Sequence, residues 1–132
     1  METAESLTLM AIVIAKRIRE REFGGEITSE AQEVLRRTSR AALATPITGK
    51  GLPPGPRLLK VYATSPGGAR RVVYLLAVED TQLFLLFYRD KNDPVGRNVS
   101  PKNPAFATAL RQHLALLRED IAAGQFDQFE TE

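Results

Sequence analysis

The chain has 132 residues, 43% of them hydrophobic and 26% charged, and it carries a formal net charge of +2 at neutral pH. These values are typical of a folded globular protein, and the length predicts a single domain over residues 1–132 with its own core. The chain has no cysteine and one histidine, which excludes disulfides, thiol catalysis and thiolate or histidine-rich metal sites, so we expect no cofactor.

The N-terminal segment has an uncharged run of only about ten residues, 6–15, whereas a membrane-spanning helix needs about 20. Acids precede this run and bases follow it, the reverse of a secretory signal, so we expect a cytoplasmic protein without a membrane partner. Within the run, residues 7–14 fit both a strand and a helix, because apolar residues recur at both spacings. Residues 1–5 are expected to be frayed.

Two short helices are predicted next. Residues 15–23 alternate in charge without a helix breaker, and Gly24-Gly25 ends this first helix. Thr28 or Ser29 can cap the second helix, whose apolar residues recur at helical spacing as far as Ala42. The tight glycine-containing turn between them predicts a helical hairpin.

A proline- and glycine-rich loop, residues 45–56, precedes a predicted sheet. The strand candidates are residues 57–64, 71–78 and 83–89. Short links, of which the first is residues 65–69, predict antiparallel hairpins. The third strand is apolar at nearly every position, so we place it inside the sheet.

The C-terminal region is predicted to contain a loop and a helix. The loop covers residues 90–104, and an apolar stripe predicts a helix over residues 104–122. His113 lies on this helix without an obvious acidic partner, so it is expected to pack or to face solvent. Residues 125–132 are expected to be frayed.

Basic residues lie at the outer ends of the predicted strands. Arg70 and Arg71 begin the middle strand after a Gly-Gly turn, and Arg89 and Lys91 end the last one. Lys60, in the first strand, shares a face with Tyr62 by alternation. A guanidinium can hold a phosphate through two hydrogen bonds, so this cluster predicts a site for a phosphodiester.

The run RLLKVYATSPGGARRVVYLLAVEDTQLFLLFYRDKND, residues 57–93, resembles the RelE/HigB branch of the RelE/ParE toxin superfamily. Three motifs carry the resemblance: Leu58-Leu59-Lys60, the run from Gly68 to Tyr74, and Leu85-Leu86-Phe87-Tyr88 followed by Lys91-Asn92. It implies an α+β fold of order β-α-α-β-β-β-α, in which an antiparallel sheet of three to four strands packs with the N-terminal helical hairpin and the C-terminal helix.

The resemblance also implies a function, the toxin of a type II toxin–antitoxin system. Such toxins are metal-independent endoribonucleases that cleave mRNA on the ribosome, inhibit translation and are neutralised by a cognate antitoxin protein. The implied catalytic residues are Arg71, Lys60 and Lys91, with Arg89 as a rival for the last. The implied RNA-binding residues are Arg57, Arg70, Arg89, Tyr88 and Arg97.

Two departures from the family pattern keep other functions open. Leu59 stands where an arginine is common, and no tyrosine or histidine near the C-terminus matches the family's acid or base. A non-catalytic relative that binds a partner protein, or a ParE-like inhibitor of gyrase, would share the fold without needing the catalytic cations.

Overall fold

The computed structural model describes residues 11–41, 46–48, 57–76 and 82–130, and shows an α+β fold. The elements are, in chain order, β1 (Ala11–Ala15), α1 (Lys16–Phe23), α2 (Ser29–Ala41), β2 (Arg57–Ser65), β3 (Gly68–Leu76), β4 (Gln82–Asp90), α3 (Pro104–Ala122) and β5 (Phe126–Glu130). The predictions for residues 1–10, and for parts of the loop and link at 42–56 and 77–81, lie outside the described residues.

The sheet has five strands in the order β2-β3-β4-β1-β5. Strands β2, β3 and β4 form two successive antiparallel hairpins, as predicted. β4 lies in the middle of the sheet, which agrees with its nearly continuous apolar sequence. The prediction of three to four antiparallel strands needs correction, because β1 pairs with β4 in parallel and a fifth strand is present.

The N-terminal apolar run forms a strand over the residues that the structure describes. Ile12, Val13 and Ile14 are buried in β1, whose neighbours are β4 on one side and β5 on the other. Pairing on both edges satisfies backbone groups of this buried segment, and its branched residues favour a strand over a helix.

The C-terminal residues 126–130 form strand β5, which corrects the expectation of fraying for these residues, whereas residues 131 and 132 lie outside the described residues. Gly124, with φ 72°, turns the chain back after α3. Gly24 has a similar φ of 73° at the end of α1. Five residue pairs then join β5 to β1 in antiparallel register. Pairing with the exposed edge of β1 orders a segment whose polar sequence carries no strong strand signal.

The turn between β2 and β3 is shorter than predicted. Ser65 pairs with Gly68, so only Pro66 and Gly67 remain in the turn, and residues 65, 68 and 69 of the predicted link belong to the strands. Cross-strand pairing continues up to a two-residue turn, although proline and glycine are typical strand breakers and so predict a longer loop.

A β-bulge in β4 decides which side chains share a face. Val73 pairs with Phe87, whereas the next residue, Tyr74, pairs with Leu85, so Leu86 is an extra residue on β4. The alternation of side chains between the two faces of β4 is therefore interrupted at the bulge, and it continues after Leu86 with the faces exchanged. Arg89 consequently lies on the same face as its partner Arg71.

Each face of the sheet carries its own hydrophobic core. One core packs Val34 and Leu35 of α2 against Leu59, Tyr74 and other residues, and this side is called the α2 face. The other core, on the α3 face, is larger. It contains Phe106, Leu110 and Leu117 of α3, Ile18 of α1, Ile47, Val95 and Val99 of the loops, and Ala15, Leu58, Val73, Leu86 and Phe87 of the strands.

Candidate nucleic-acid interface

Three side chains on neighbouring strands form what we call the edge cluster: Lys60, Tyr62 and Arg71. Tyr62 and Arg71 are direct cross-strand partners, and alternation puts Lys60 beside Tyr62 on the α3 face of edge strand β2. The Arg71 guanidinium carbon lies 4.0 Å from the centroid of the Tyr62 ring, and Lys60 Nζ lies 5.6 Å from it. The ring therefore holds two cations close together.

The edge cluster is open to solvent and carries an uncompensated positive charge. Tyr62 is 53% exposed, whereas Tyr74 is fully buried and Tyr88 is half-buried. Within the described part of the chain, no carboxylate forms an ion pair with Lys60 or Arg71. Two cations beside an exposed aromatic ring can bind a phosphate and stack a base.

A cavity of about 400 Å³ lies beside the edge cluster, at the outer edge of β2. Tyr62, Thr64 and Arg71 line one side, and Arg37 and Thr38 of α2 line the other. Tyr74 is buried beneath α2, and burial raises the pKa of its hydroxyl. The same hydroxyl forms a hydrogen bond with Thr38 Oγ1 at 2.8 Å. That buried hydrogen bond fixes α2 against the sheet and so sets the width of the cavity.

Arg89 lies next to Arg71 but belongs to a different group, the Glu22 cluster, formed by Glu22, Arg89, Asp93 and His113. Arg89 donates two hydrogen bonds to Glu22, from Nε at 2.7 Å and from Nη2 at 2.8 Å. It donates a third to Asp93 Oδ2 at 2.9 Å. The sequence predicts Arg89 as an RNA contact, but two carboxylates already neutralise its guanidinium.

The carboxylate of Glu22 is the centre of this cluster. Its side chain is fully buried, and it also accepts hydrogen bonds from the Tyr88 backbone N–H and from His113 Nε2, both at 2.8 Å. Burial disfavours its charge, but the hydrogen bonds from Arg89 and His113 prevail and hold the pKa of Glu22 below its ordinary value. The hydrogen bonds that Arg89 donates to Glu22 likewise raise the pKa of Arg89, which keeps both groups charged.

His113 is buried rather than exposed and has the acidic partner that sequence reasoning missed. Its ring stacks on Phe87 with centroids 4.6 Å apart, and its Nδ1 has no hydrogen-bond partner among the described residues. Because the Glu22 carboxylate can only accept, Nε2 is the nitrogen that donates in this hydrogen bond. His113 thus positions Glu22 from α3.

The helix α1 brings Glu22 to the end of β4, and α3 fixes α1 in place. The first turn of α1 has no cap of its own, but Asp120 accepts hydrogen bonds from Arg17 N and Arg17 Nε, each at 2.9 Å. A carboxylate from a neighbouring helix therefore supplies the N-terminal cap. Sequence gave no signal for this pairing, since 103 residues separate the two partners.

Three other predicted site residues, Lys91, Arg70 and Tyr88, lie near this end of the sheet but outside the edge cluster. Lys91 is exposed, and its backbone N–H donates to Ala69 O at 3.2 Å, which places it beside the start of β3. Arg70 lies on the α2 face, 3.8 Å from Asp90 Oδ2 and 5.7 Å above the Tyr88 ring. Tyr88, on the same face, stacks on Phe23 of α1 with ring centroids 4.9 Å apart.

Two predicted RNA contacts lie away from this group. Arg57 is exposed at the opposite end of β2, where it pairs with Leu76. Arg97 is exposed in the loop after β4, and its backbone N–H donates to Asp93 O at 2.8 Å. The structure thus brings Lys60, Arg71 and Arg89 to one face and Lys91 to the adjacent strand end.

No helix among the residues that the structure describes is long and apolar enough to cross a membrane. No group of three or more histidine, aspartate or glutamate side chains in the described ranges is arranged to hold a metal ion.

Comparisons of the chain with protein-family models, with curated proteins and with solved structures gave no match. The resemblance to the RelE/HigB branch therefore stays a prediction from the motifs of residues 57–93.

Proposed function

We propose that this chain is the toxin of a type II toxin–antitoxin system that binds mRNA on the ribosome through its edge cluster and cleaves it. One observation carries the proposal. Lys60 and Arg71 lie together on one face around the exposed Tyr62 ring, and no described carboxylate pairs with either cation. Such a pair of cations suits an anionic ligand, and a phosphodiester is one that arginine can hold through two hydrogen bonds.

In the proposed reaction, the ribose 2′-hydroxyl loses its proton to solvent and attacks the adjacent phosphorus, and the bond from phosphorus to the 5′-oxygen breaks. The products are a 2′,3′-cyclic phosphate and a 5′-hydroxyl that takes its proton from solvent. Negative charge grows on the phosphoryl oxygens in the transition state, and Lys60 and Arg71 stabilise that charge. Tyr62 holds Arg71 by a cation–π contact at 4.0 Å and is the most exposed of the three tyrosines. Lys91 approaches from the end of β4 as a third cation, in place of the neutralised Arg89.

Induction of the chain alone in a bacterial host tests this function. Growth should stop and mRNA should be cut, and Arg71→Gln should relieve both effects, with a cleavage rate about a hundredfold lower. Arg118→Gln removes the same charge from an exposed position on α3 and should leave both effects intact.

The outcomes distinguish the three functions. Arrested growth with intact mRNA would instead point to gyrase or another target. Continued growth on induction of a folded chain would support a protein that only binds a partner. Growth arrest that persists in Arg71→Gln would remove the edge cluster from the mechanism.

A further inference from the structure

We infer that Arg37 of α2 is a second phosphate-binding residue, and that a single RNA strand passes from the edge cluster over the rim of β2 to reach it. The inference rests on the proposed function, because the strand begins at Lys60 and Arg71. It adds a binding residue from a different element and from the opposite side of the edge strand. None of the predicted site residues lies on α2.

The cavity at the rim of β2 connects the two sites. Arg71 and Tyr62 line it from the α3 face, and Arg37 lines it from the helix that covers the α2 face. Its volume of about 400 Å³ is in the range of sites that hold small ligands, and it is open to solvent at the sheet edge. An RNA strand carries one phosphate for each nucleotide, so one strand can contact both arginines.

Arg37 is held in place and pairs only loosely with an acid. Its Nη2 donates to the backbone carbonyl of Thr64 at 2.9 Å, which fixes the guanidinium against β2. Glu33 Oε2 lies 4.0 Å from Arg37 Nε, which is an ion-pair distance but is beyond hydrogen-bond distance. The side chain is 45% exposed, and its remaining donors suit an incoming phosphate.

The edge of β2 is better suited to a nucleic acid than to a peptide strand. A peptide added to a sheet edge needs the outward carbonyl and N–H groups of that edge. Two of the acceptors along this edge are already used, since Ile47 N donates to Leu58 O at 2.8 Å and Arg37 donates to Thr64 O. The cations remain available, and charge complementarity therefore favours RNA.

The neighbouring Arg36 provides a matched control on the same helix. It bonds Glu33 Oε1 at 3.3 Å and lies 5.6 Å above the ring of Phe129 in β5, at the other end of the sheet. Arg36→Gln and Arg37→Gln remove the same charge from adjacent positions. A difference between them therefore reports on contact at the rim of β2 and not on net charge.

The test measures binding of the full chain to fluorescently labelled RNA by anisotropy. Two probes are used: a dinucleotide, which has a single internal phosphate, and an oligouridine long enough to cross the edge. Arg37→Gln should weaken oligouridine binding roughly three- to tenfold and lower the slope of log K against log salt by about 0.7. Its binding to the dinucleotide should equal that of the wild type, and Arg36→Gln should bind both probes as the wild type does.

Arg37→Lys keeps the charge but loses the planar fork, so it should retain the salt slope and bind with intermediate affinity. Thermal melting of each variant shows that it is folded. The inference is overturned if Arg37→Gln and Arg36→Gln bind oligouridine alike, or if Arg37→Gln weakens an acidic peptide and not RNA. If neither Arg71→Gln nor Arg37→Gln weakens RNA binding, the proposed function is overturned together with this inference. If Arg71→Gln weakens RNA binding and Arg37→Gln does not, only this inference is overturned.

Discussion

Arg71 and Arg89 are cross-strand partners on the same face of the sheet, yet their surroundings are opposite. Arg71 lies against the exposed ring of Tyr62 and meets no carboxylate among the described residues. Arg89 is fastened by Glu22 and Asp93. The comparison shows that the position of a basic residue on a strand does not decide whether it can bind a ligand. The acids that other elements bring to it decide that.

The two regions also differ in what they contribute to the fold. The Glu22 cluster joins α1, β4, the loop after β4 and α3 through one buried carboxylate. The edge cluster joins only two strands of a hairpin, through contacts at the surface. Substitutions should therefore cost stability in the first region and ligand binding in the second.

Glu22→Ala should have the largest effect on stability. It leaves Arg89 and His113 without their buried partner, and removal of one member of a buried ion pair costs about 3–5 kcal/mol of unfolding free energy. Urea denaturation measures this loss. Glu20→Ala, an exposed acid on the same helix, should stay within about 0.5 kcal/mol of the wild type. Equal losses in the two variants would contradict the central role of Glu22.

Gly96→Ala should have the next largest effect, because Gly96 packs against the chain beside Arg89. A Cβ at this position would overlap the backbone carbonyl oxygen of Asp90 and lie 3.1 Å from Arg89 Cβ. Backbone cannot move aside as easily as a side chain, so we expect a loss of about 1–3 kcal/mol.

Gly67, in the turn between β2 and β3, offers a comparison with Gly96. A Cβ there would meet only the ends of the Arg70 and Glu30 side chains, which are flexible. Thermal melting should therefore show a smaller decrease in melting temperature for Gly67→Ala than for Gly96→Ala. The reverse order would mean that the edge hairpin is the more tightly packed region.

The stability of the Glu22 cluster should depend on pH in the acid range. The pKa of Glu22 is lower in the folded state than its ordinary value of 4.5, so between these two values the unfolded chain binds more protons. The free energy of unfolding is therefore fully retained above about pH 4.5 and falls as the pH drops toward the folded-state pKa.

Glu22→Gln should reduce this acid dependence without abolishing it. Asp93 contributes in the same direction, since hydrogen bonds from the Val95 N–H and from Arg89 outweigh burial and hold its pKa low. Urea denaturation of both proteins from neutral to acid pH measures the difference. An unchanged pH profile in the variant would show that Glu22 is not the group that titrates.

Much of the sheet could be predicted from sequence, because its signals are local. Lys60 and Tyr62 were placed on one face by simple alternation, and the central position of β4 followed from its apolar residues. For residues 7–14 the sequence fits both a strand and a helix, since alternation and helical spacing coexist there. Pairing with β4 and β5 resolves that choice.

The Glu22 cluster could not be predicted, because it depends on contacts between distant parts of the chain. Glu22 and His113 are 91 residues apart, and neither lies in a recognisable motif. The bulge at Leu86 turns Arg89 to the α3 face, which alternation along β4 alone would not reveal. Asp93 gave the only local signal, four residues after Arg89 in a loop rich in turn residues.

Arg71→Gln should have the smallest effect on stability. It loses one exposed cation–π contact, which contributes less than about 1 kcal/mol, and it also relieves repulsion from the nearby Lys60. Arg89→Gln should cost clearly more in the same urea titration, because it leaves the Glu22 carboxylate buried without its cation. If the two losses were equal, Arg71 would be a structural residue, and the free charge on which RNA binding depends would not exist.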